Sequence, residues 1–141
     1  MVDKIKISRH ISNLKKYLER LSEWGNVEED VFIEDKVLQA ATERCLQMSI
    51  ETCINIGNHL IASNSWRNPE DYADIFRILN ENGIIDRELT ESLVNMARFR
   101  NRLVHLYWDT EPRVVFRIMK NSLPDIEEFA KAVISAYSEE L

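Results

Sequence analysis

The sequence contains few of the residues that break helices or cross-link chains. Its 141 residues include only three glycines, three prolines and two cysteines. So little Gly and Pro excludes collagen-like and linker-rich architectures. A content of 45% hydrophobic against 30% charged residues is not that of a disordered chain. Length and composition together predict a single domain over residues 1–141, built around one hydrophobic core.

Long apolar runs are also missing. No run approaches the roughly 20 apolar residues that a membrane span requires. The N-terminus alternates charged and apolar residues up to Ile7 and has neither the continuous apolar region nor the cleavage site of a secretory signal. Cys45 and Cys53 lie eight residues apart in a helix-like segment, about 12 Å along its axis, which is too far for a disulfide. We therefore expect a cytoplasmic protein with reduced cysteines and no membrane contact.

Familiar cofactor and metal motifs are absent as well. The sequence has no GxxxxGK[ST] loop, no GxSxG elbow, no HExxH, no EF-hand pattern and no CxxC. His10 and His59 lie in different predicted helices from the third histidine, His105. Neither has a potential metal ligand nearby in the sequence at a spacing typical of a metal site. Asp109 and Glu111 are more typical of a solvated helix end than of a Mg²⁺ site. We expect neither a metal nor a cofactor.

Positive charge is scarce overall but concentrated in one segment. The chain has 24 acidic and 18 basic residues, a formal net charge of −6, which is the reverse of what a general nucleic-acid coat protein needs. Between residues 98 and 120, however, six basic residues stand against two acidic ones. Any contact with nucleic acid is therefore expected in this segment.

The apolar residues recur at spacings of three and four, which predicts helices throughout and no strands. The fold class is accordingly an all-α bundle of five or six helices. The first predicted helix runs from Ile7 to Leu21 and ends before Gly25, and a central helix covers residues 35 to about 61. Further helices are predicted from Asn68-Pro69 to Asn82-Gly83, from about 86 to 108, from Pro112 onward, and after a break at Pro124-Asp125.

Arg100 occupies an unusual position in the fourth predicted helix. On an ideal helix it lies within the apolar stripe, about 40° from Met96 and about 20° from Tyr107. An arginine there must be paired or line a cleft that binds an anion, because an unpaired buried charge costs several kcal/mol. The residue patterns leave two interpretations open: a phosphate-binding arginine, or an internal ion pair with an acid such as Glu43 or Glu51.

His105 follows five residues later, about 140° around the helix from Arg100. The two side chains therefore lie on different faces of an ideal helix. They can act on one substrate if the long arginine side chain extends around the helix, if the helix is distorted near its end, or if another helix or a second subunit completes a cleft. Arginine and histidine are the groups that metal-independent RNA cleavage needs, one to stabilise charge at phosphorus and one to move a proton. Tyr107 and Trp108 could offer a stacking surface for a base.

The segment Arg100-Asn-Arg-Leu-Val-His-Leu-Tyr107 has the arrangement R-x4-H-x-Y and resembles the signature of the HEPN superfamily, specifically its HepT branch. The likeness extends over nearly the whole chain. Glu43-Arg-Cys-Leu-Gln47 is similar to that family's E-R-x-L-Q in the central helix. Asn55 departs from the pattern, which often has Asp there.

The resemblance implies an α-helical toxin that forms a two-fold homodimer, with the R-x4-H segments of both subunits lining one cleft. It implies a metal-independent endoribonuclease acting on transfer or messenger RNA, with Arg100 and His105 as catalytic residues and Asn101, Arg102 and Arg98 as supporting RNA contacts. It also implies a minimal nucleotidyltransferase (MNT) antitoxin that inactivates the toxin by transferring AMP to Tyr107. The alternative hypothesis is a non-catalytic HEPN module that binds a nucleotide or the nucleotidyltransferase and serves as its modification substrate.

Overall fold

The computed structural model describes residues 2–105 and 110–138, and within these ranges all regular structure is helical. This confirms the predicted all-α class and the number of helices. The six helices are α1 (Lys4–Trp24), α2 (Glu29–Glu34), α3 (Lys36–Ser63), α4 (Tyr72–Glu81), α5 (Arg87–His105) and α6 (Pro112–Ala136).

Aspartates define where several helices begin. The side chains of Asp3, Asp35, Asp71 and Asp86 each accept a hydrogen bond from the backbone N–H three residues later, at 2.7 to 3.1 Å. Each such cap stabilises a helix by about 1 kcal/mol. At the other end of α4, Gly83 has a φ of +78°, the left-handed conformation that the Asn-Gly pair predicts.

Two predicted boundaries are wrong, and one helix was not predicted. Helix α4 begins at Tyr72 and not at Asn68-Pro69, because Asp71 provides the cap. Helix α6 continues through Pro124 instead of breaking there. Residues on both sides of this proline, including Met119 and Ile126, are fully buried, so packing outweighs the loss of one helical hydrogen bond. The short α2 arises within the acidic stretch that follows α1.

Helix α3 is the centre of the bundle and packs against each of the other five helices. Its buried residues lie on much of its circumference, as the sequence predicts for a central helix. Gly57 allows α4 to approach closely, since a Cβ at this position would collide with Cγ2 of Ile75. The contact between α3 and α4 brings the start of α4 close to the site described below.

Both cysteines are buried and free, as predicted. Burial raises the pKa of Cys45 to about 11 and that of Cys53 to about 12, so both thiols stay neutral at physiological pH. In the described ranges, no helix is both long enough and apolar enough to cross a bilayer.

Candidate functional site

Helix α5 places Arg100 where the sequence predicts it, among buried apolar residues. Leu93, Met96, Ala97 and Leu103 form the buried stripe of this helix. The Arg100 side chain lies beside them and is only 13% exposed. A charged group so far removed from water requires a compensating partner.

That partner is Glu51 of the central helix. Nη2 of Arg100 donates to Oε1 of Glu51 at 2.6 Å, and the glutamate side chain is 26% exposed. Nη1 donates to Oδ1 of the neighbouring Asn101 at 3.2 Å. Of the two acids that the sequence suggests as counter-charges, the structure selects Glu51, while Glu43 has no guanidinium partner among the described residues.

Two further side chains complete this arrangement. Nε2 of Gln47, one helical turn before Glu51, lies 3.4 Å from both carboxylate oxygens of Glu51. The guanidinium carbon of Arg100 lies 5.1 Å from the centre of the Tyr72 ring at the start of α4. This is a cation–π distance. Arg100, Glu51, Gln47, Asn101 and Tyr72 are hereafter called the Arg100 cluster.

The hydrogen-bonding capacity of Arg100 is not fully used. Its Nε is buried and has no hydrogen-bond partner among residues 2–105 and 110–138. Buried guanidinium nitrogens are normally paired, so an unpaired one is an exception that calls for an explanation. An arginine that is held by a single carboxylate and is not wholly removed from solvent is suited to binding a second oxyanion such as a phosphodiester.

His105 lies in the last turn of the same helix and is exposed. No hydrogen bond joins it to Arg100 in the part of the chain that the structure describes. Arg100 contacts α3 and α4, whereas the exposed histidine is about 140° further around an ideal helix. Within one described subunit, the two groups therefore point in different directions.

The supporting residues are split between two environments. Arg98 and Arg102 are exposed, whereas Asn101 is half-buried and bonded to Arg100. Tyr107, the expected acceptor of AMP, lies outside the described residues, as do Trp108 and Asp109.

The sequence analysis did not predict Gln47 and Tyr72 as members of the Arg100 cluster. The i, i+4 spacing of Gln47 and Glu51 was a visible signal, but only the packing of α4 on α3 brings in Tyr72.

Of the other two histidines, His59 has a structural role. The backbone N–H of Asp3 donates to Nε2 of His59 at 2.9 Å, which ties the start of α1 to α3. Burial and neighbouring positive charges, including that of Lys6, lower the pKa of both His10 and His59. Across the described ranges there is no group of three or more acidic, histidine or cysteine side chains that could hold a metal ion.

Comparison with known proteins identifies the family. The model of the HepT-like ribonuclease family matches residues 7–133. The mRNA nuclease HepT of Shewanella oneidensis is 28% identical over 128 residues, covering 90% of this chain and 95% of that protein. The tRNA nuclease HepT of Aphanizomenon flos-aquae is 25% identical, covering 95% of this chain and 91% of that protein.

The fold agrees with this match. The solved structure of the tri-AMPylated Shewanella oneidensis HEPN toxin in complex with MNT antitoxin superposes with a TM-score of 0.85 at 27% identity, covering 96% of this chain and 99% of that one. The family model extends over most of the chain and includes both Arg100 and His105. The chain belongs to the HepT-like ribonuclease family.

Proposed function

We propose that this protein is the toxin of a HEPN/MNT toxin–antitoxin pair and cleaves transfer or messenger RNA without a metal ion. Arg100 binds and activates the scissile phosphate, and His105 acts as general acid or base. Arg98, Asn101 and Arg102 assist in holding the RNA. The relatives named as an mRNA nuclease and a tRNA nuclease support both the reaction and the two substrate classes.

The state of Arg100 is the observation that carries this proposal. The guanidinium is 13% exposed, donates a hydrogen bond to one carboxylate, that of Glu51, and keeps Nε unpaired among the described residues. A low-exposure environment strengthens its attraction for a phosphate oxygen, because little water screens the interaction. Glu51 and Tyr72 fix the guanidinium before substrate arrives, so little reorganisation is needed when negative charge develops at phosphorus.

The reaction uses the ribose 2′-hydroxyl as nucleophile. As its oxygen bonds to phosphorus, the bond between phosphorus and the 5′ oxygen breaks, giving a 2′,3′-cyclic phosphate and a 5′-hydroxyl. A proton leaves the attacking hydroxyl and another is supplied to the leaving oxygen, and His105 performs one of these transfers. Its exposure at the end of α5 leaves it accessible to an RNA strand.

A homodimer accounts for the separation of the two groups. Within the described subunit Arg100 and His105 do not share a face, so a two-fold cleft lined by both R-x4-H segments would combine the groups of two subunits. We propose this arrangement for a single domain over residues 1–141, acting in the cytoplasm. The dimeric expectation itself is tested by the molecular mass in solution.

Regulation is proposed to occur at Tyr107. The tri-AMPylated state of the Shewanella oneidensis toxin with its MNT antitoxin supports AMP transfer as the means of inactivation. Tyr107 comes two residues after His105 in the most basic segment of the chain. Adenylate there would add bulk and a negative phosphate beside the arginines that contact RNA, and thereby block the substrate.

The test of the catalytic assignment is RNA cleavage in EDTA by protein whose intact mass shows it to be unmodified. We expect wild type to cleave total transfer RNA or a messenger RNA transcript, leaving 5′-hydroxyl ends, and Arg100→Ala and His105→Ala to be inactive. Cleavage that needs Mg²⁺ and survives His105→Ala would contradict the proposal.

The second candidate function is a non-catalytic module that serves as the substrate of the nucleotidyltransferase. It is favoured by the ion pair between Arg100 and Glu51, which gives Arg100 a structural role without catalysis. Intact mass after co-expression with the nucleotidyltransferase separates the two functions. A gain of AMP that is lost in Tyr107→Phe, together with no cleavage by unmodified protein, would favour this second candidate.

A further inference from the structure

A groove between α4 and α5 is lined by three arginines, and the proposed function above uses only one of them, Arg98. Its volume is about 480 Å³. Arg77 comes from α4, and Arg87 and Arg98 come from α5. Between them lie Thr90, Glu91 and Asn95, whose side chains provide hydrogen-bonding groups.

The charge of this groove is opposite to that of two other grooves on the molecule. Three guanidinium groups and one carboxylate leave a formal charge of +2 here. A groove beside α1 is lined by one lysine and three glutamates, and a groove at the junction of α2 and α3 is lined by one lysine and three acidic residues. In a chain with a net charge of −6, the α4–α5 groove is therefore a local site of attraction for anions.

The arginines of the groove are only lightly engaged by the protein. Arg87 lies 3.6 Å from Glu91, and both side chains are exposed. Nη1 of Arg77 lies 3.8 Å from Asp74, whose carboxylate is already bonded at 2.7 and 2.9 Å to another arginine, Arg67. Arg98 has no ion-pair partner among residues 2–105 and 110–138. The exposed pair of Arg87 with Glu91 contributes at most about 1 kcal/mol to stability, and Arg77 has only a distant contact with a carboxylate that Arg67 already binds, so these pairs do not explain why three arginines gather here.

The groove is aligned with His105 along α5. Arg87 and His105 are 18 residues apart, which is five full helical turns, or about 27 Å on the same line of the helix. Arg98 lies within about 20° of this line and about 10 Å from His105 along the axis. The buried Arg100 projects from the opposite side of α5 toward Glu51. A chain of phosphates that passes His105 can therefore continue along the arginine groove.

We infer that the α4–α5 groove binds the phosphate backbone of single-stranded RNA on one side of the cleavage site. This inference rests on the proposed ribonuclease function and adds a binding subsite to it. Arg77, Arg87 and Arg98 neutralise successive phosphates, and Asn95 donates hydrogen bonds to backbone oxygens. Glu91 opposes binding and limits its strength.

The probe for this site is a fluorescent 15-nucleotide single-stranded DNA, which has the same phosphate backbone but no 2′-hydroxyl and cannot be cleaved by the proposed reaction. We expect the triple variant Arg77→Gln, Arg87→Gln, Arg98→Gln to raise the Kd at least 10-fold at low salt. Its plot of log Kd against log salt should be less steep by about 2, since each lost phosphate contact to a single strand removes roughly 0.7.

A matched control has the same loss of charge on another surface. Arg9→Gln, Lys16→Gln and Arg20→Gln replace three exposed residues of α1 and should leave the salt slope unchanged. Glu91→Gln removes the one negative charge of the groove and should lower the Kd for the probe about two- to threefold.

If Arg77→Gln lowers stability through Asp74, the double variant Arg87→Gln, Arg98→Gln still tests the site. Its plot of log Kd against log salt should be less steep by about 1.4.

Cleavage kinetics distinguish failure of this inference from failure of the proposed function. With an active wild type, we expect the double variant Arg77→Gln, Arg87→Gln, which keeps the RNA contact Arg98, to raise KM for RNA while kcat stays within about twofold. If wild type is active and the triple variant has unchanged KM, Kd and salt slope, the groove does not bind RNA, but the proposed ribonuclease function stands.

If wild type binds the probe through the groove but never cleaves RNA, the proposed ribonuclease function is wrong, but the groove remains a nucleic-acid binding site. Loss of antitoxin binding in the triple variant, with unchanged Kd for the probe, would assign the groove to protein recognition and overturn the inference.

Discussion

Two arginines of this protein are paired with carboxylates in contrasting ways. Arg67, between α3 and α4, is 44% exposed, yet all three of its nitrogens are bonded: Nη1 and Nη2 donate to Asp74, and Nε and Nη2 donate to Glu81, at 2.7 to 3.0 Å. Arg100 is only 13% exposed, but it has a single carboxylate partner, Glu51, and an Nε without a partner in the described ranges.

We interpret this difference as that between a structural ion pair and, at Arg100, the functional one that we propose. If stability alone determined the pairing, the more buried arginine should be the more completely bonded, because an unpaired buried donor costs more than an exposed one. The opposite is observed. Arg67 closes the connection from α3 to α4 with all three of its nitrogens bonded, whereas Arg100 has one carboxylate partner, Glu51, and we propose that its second anion is the scissile phosphate. The following predictions test this comparison.

The largest expected effect is on catalysis at His105. His105→Ala should lower the cleavage rate by roughly 10² to 10⁴, the usual contribution of a general acid or base. The His105 side chain is exposed and forms no hydrogen bond with the described residues, so its removal should not disturb the fold. The free energy of unfolding of this variant should change by less than about 0.5 kcal/mol. Single-turnover cleavage and denaturant unfolding measure the two quantities. A fall in activity that only follows a fall in stability would remove His105 from the reaction.

Replacing Glu51 should affect stability and activity together. Glu51→Gln removes the counter-charge of a mostly buried guanidinium, and we expect a loss of about 2 to 3 kcal/mol in the free energy of unfolding. Cleavage should fall about 10-fold, less than in Arg100→Ala, because Arg100 remains but is poorly oriented. Glu43→Gln is the matched control on the same helix. Burial raises the pKa of Glu43, but this acid does not contact Arg100, so cleavage should be unchanged. Equal loss of activity in the two variants would contradict the positioning role.

The Arg67 pair should behave as a purely structural element. Asp74 is buried and accepts from Arg67 and from the backbone N–H of Glu70, so Asp74→Asn should cost about 2 kcal/mol in the free energy of unfolding. Cleavage measured below the unfolding transition should stay within about twofold of wild type. A selective loss of cleavage in this variant would break the distinction between the two arginines.

The same aspartate predicts a dependence of stability on acid. Hydrogen bonds from Arg67 lower the pKa of Asp74 from its ordinary 3.8 to about 2. A lowered carboxyl pKa stabilises the fold above about pH 4, and this contribution is lost as the pH falls toward 2. The unfolding free energy of wild type should therefore decrease more steeply than that of Asp74→Asn between pH 4 and 2. Parallel curves for the two proteins would contradict this account of the pair.

The smallest expected effect lies outside both arginine sites. The neutral Nε2 of His59 accepts from the N–H of Asp3, and burial lowers the pKa of His59 below its ordinary 6.5. The stabilisation is present above pH 6.5 and is lost on acidification, because protonation removes the acceptor. His59→Gln should therefore flatten the decline of Tm between pH 7 and 5, leaving the contribution of His10. An unchanged decline would place the pH dependence elsewhere.

The fold was largely predictable because helix signals are local. Apolar spacing and aspartate caps locate α1, α3 and α5, and Asn82-Gly83 predicts the end of α4. The errors arise where tertiary packing outweighs local preference. Buried residues on both sides of Pro124 keep α6 continuous, and the bonds of Arg67 to Asp74 and Glu81 hold the segment after α3 out of the next helix.

The candidate site was predictable in part. The position of Arg100 in an apolar stripe was enough to require a partner and to suggest Glu51 or Glu43. Choosing between them needs the rotation of α3 against α5, which no local pattern determines. Tyr72 joins the cluster only because Gly57 lets α4 pack closely on α3. The arginine groove likewise requires residues from two helices to face each other.

The most direct test of the central claim compares Arg100→Lys with Arg67→Lys. Lysine keeps the charge but cannot form the forked contacts of a guanidinium. For each variant, single-turnover RNA cleavage in EDTA and the free energy of unfolding are measured on unmodified protein. We expect Arg100→Lys to lose at least 100-fold in cleavage with little loss of stability, and Arg67→Lys to lose about 1 to 2 kcal/mol of stability with cleavage nearly unchanged. Arg100→Lys that is destabilised but fully active would contradict the account and reduce Arg100 to a second structural ion pair.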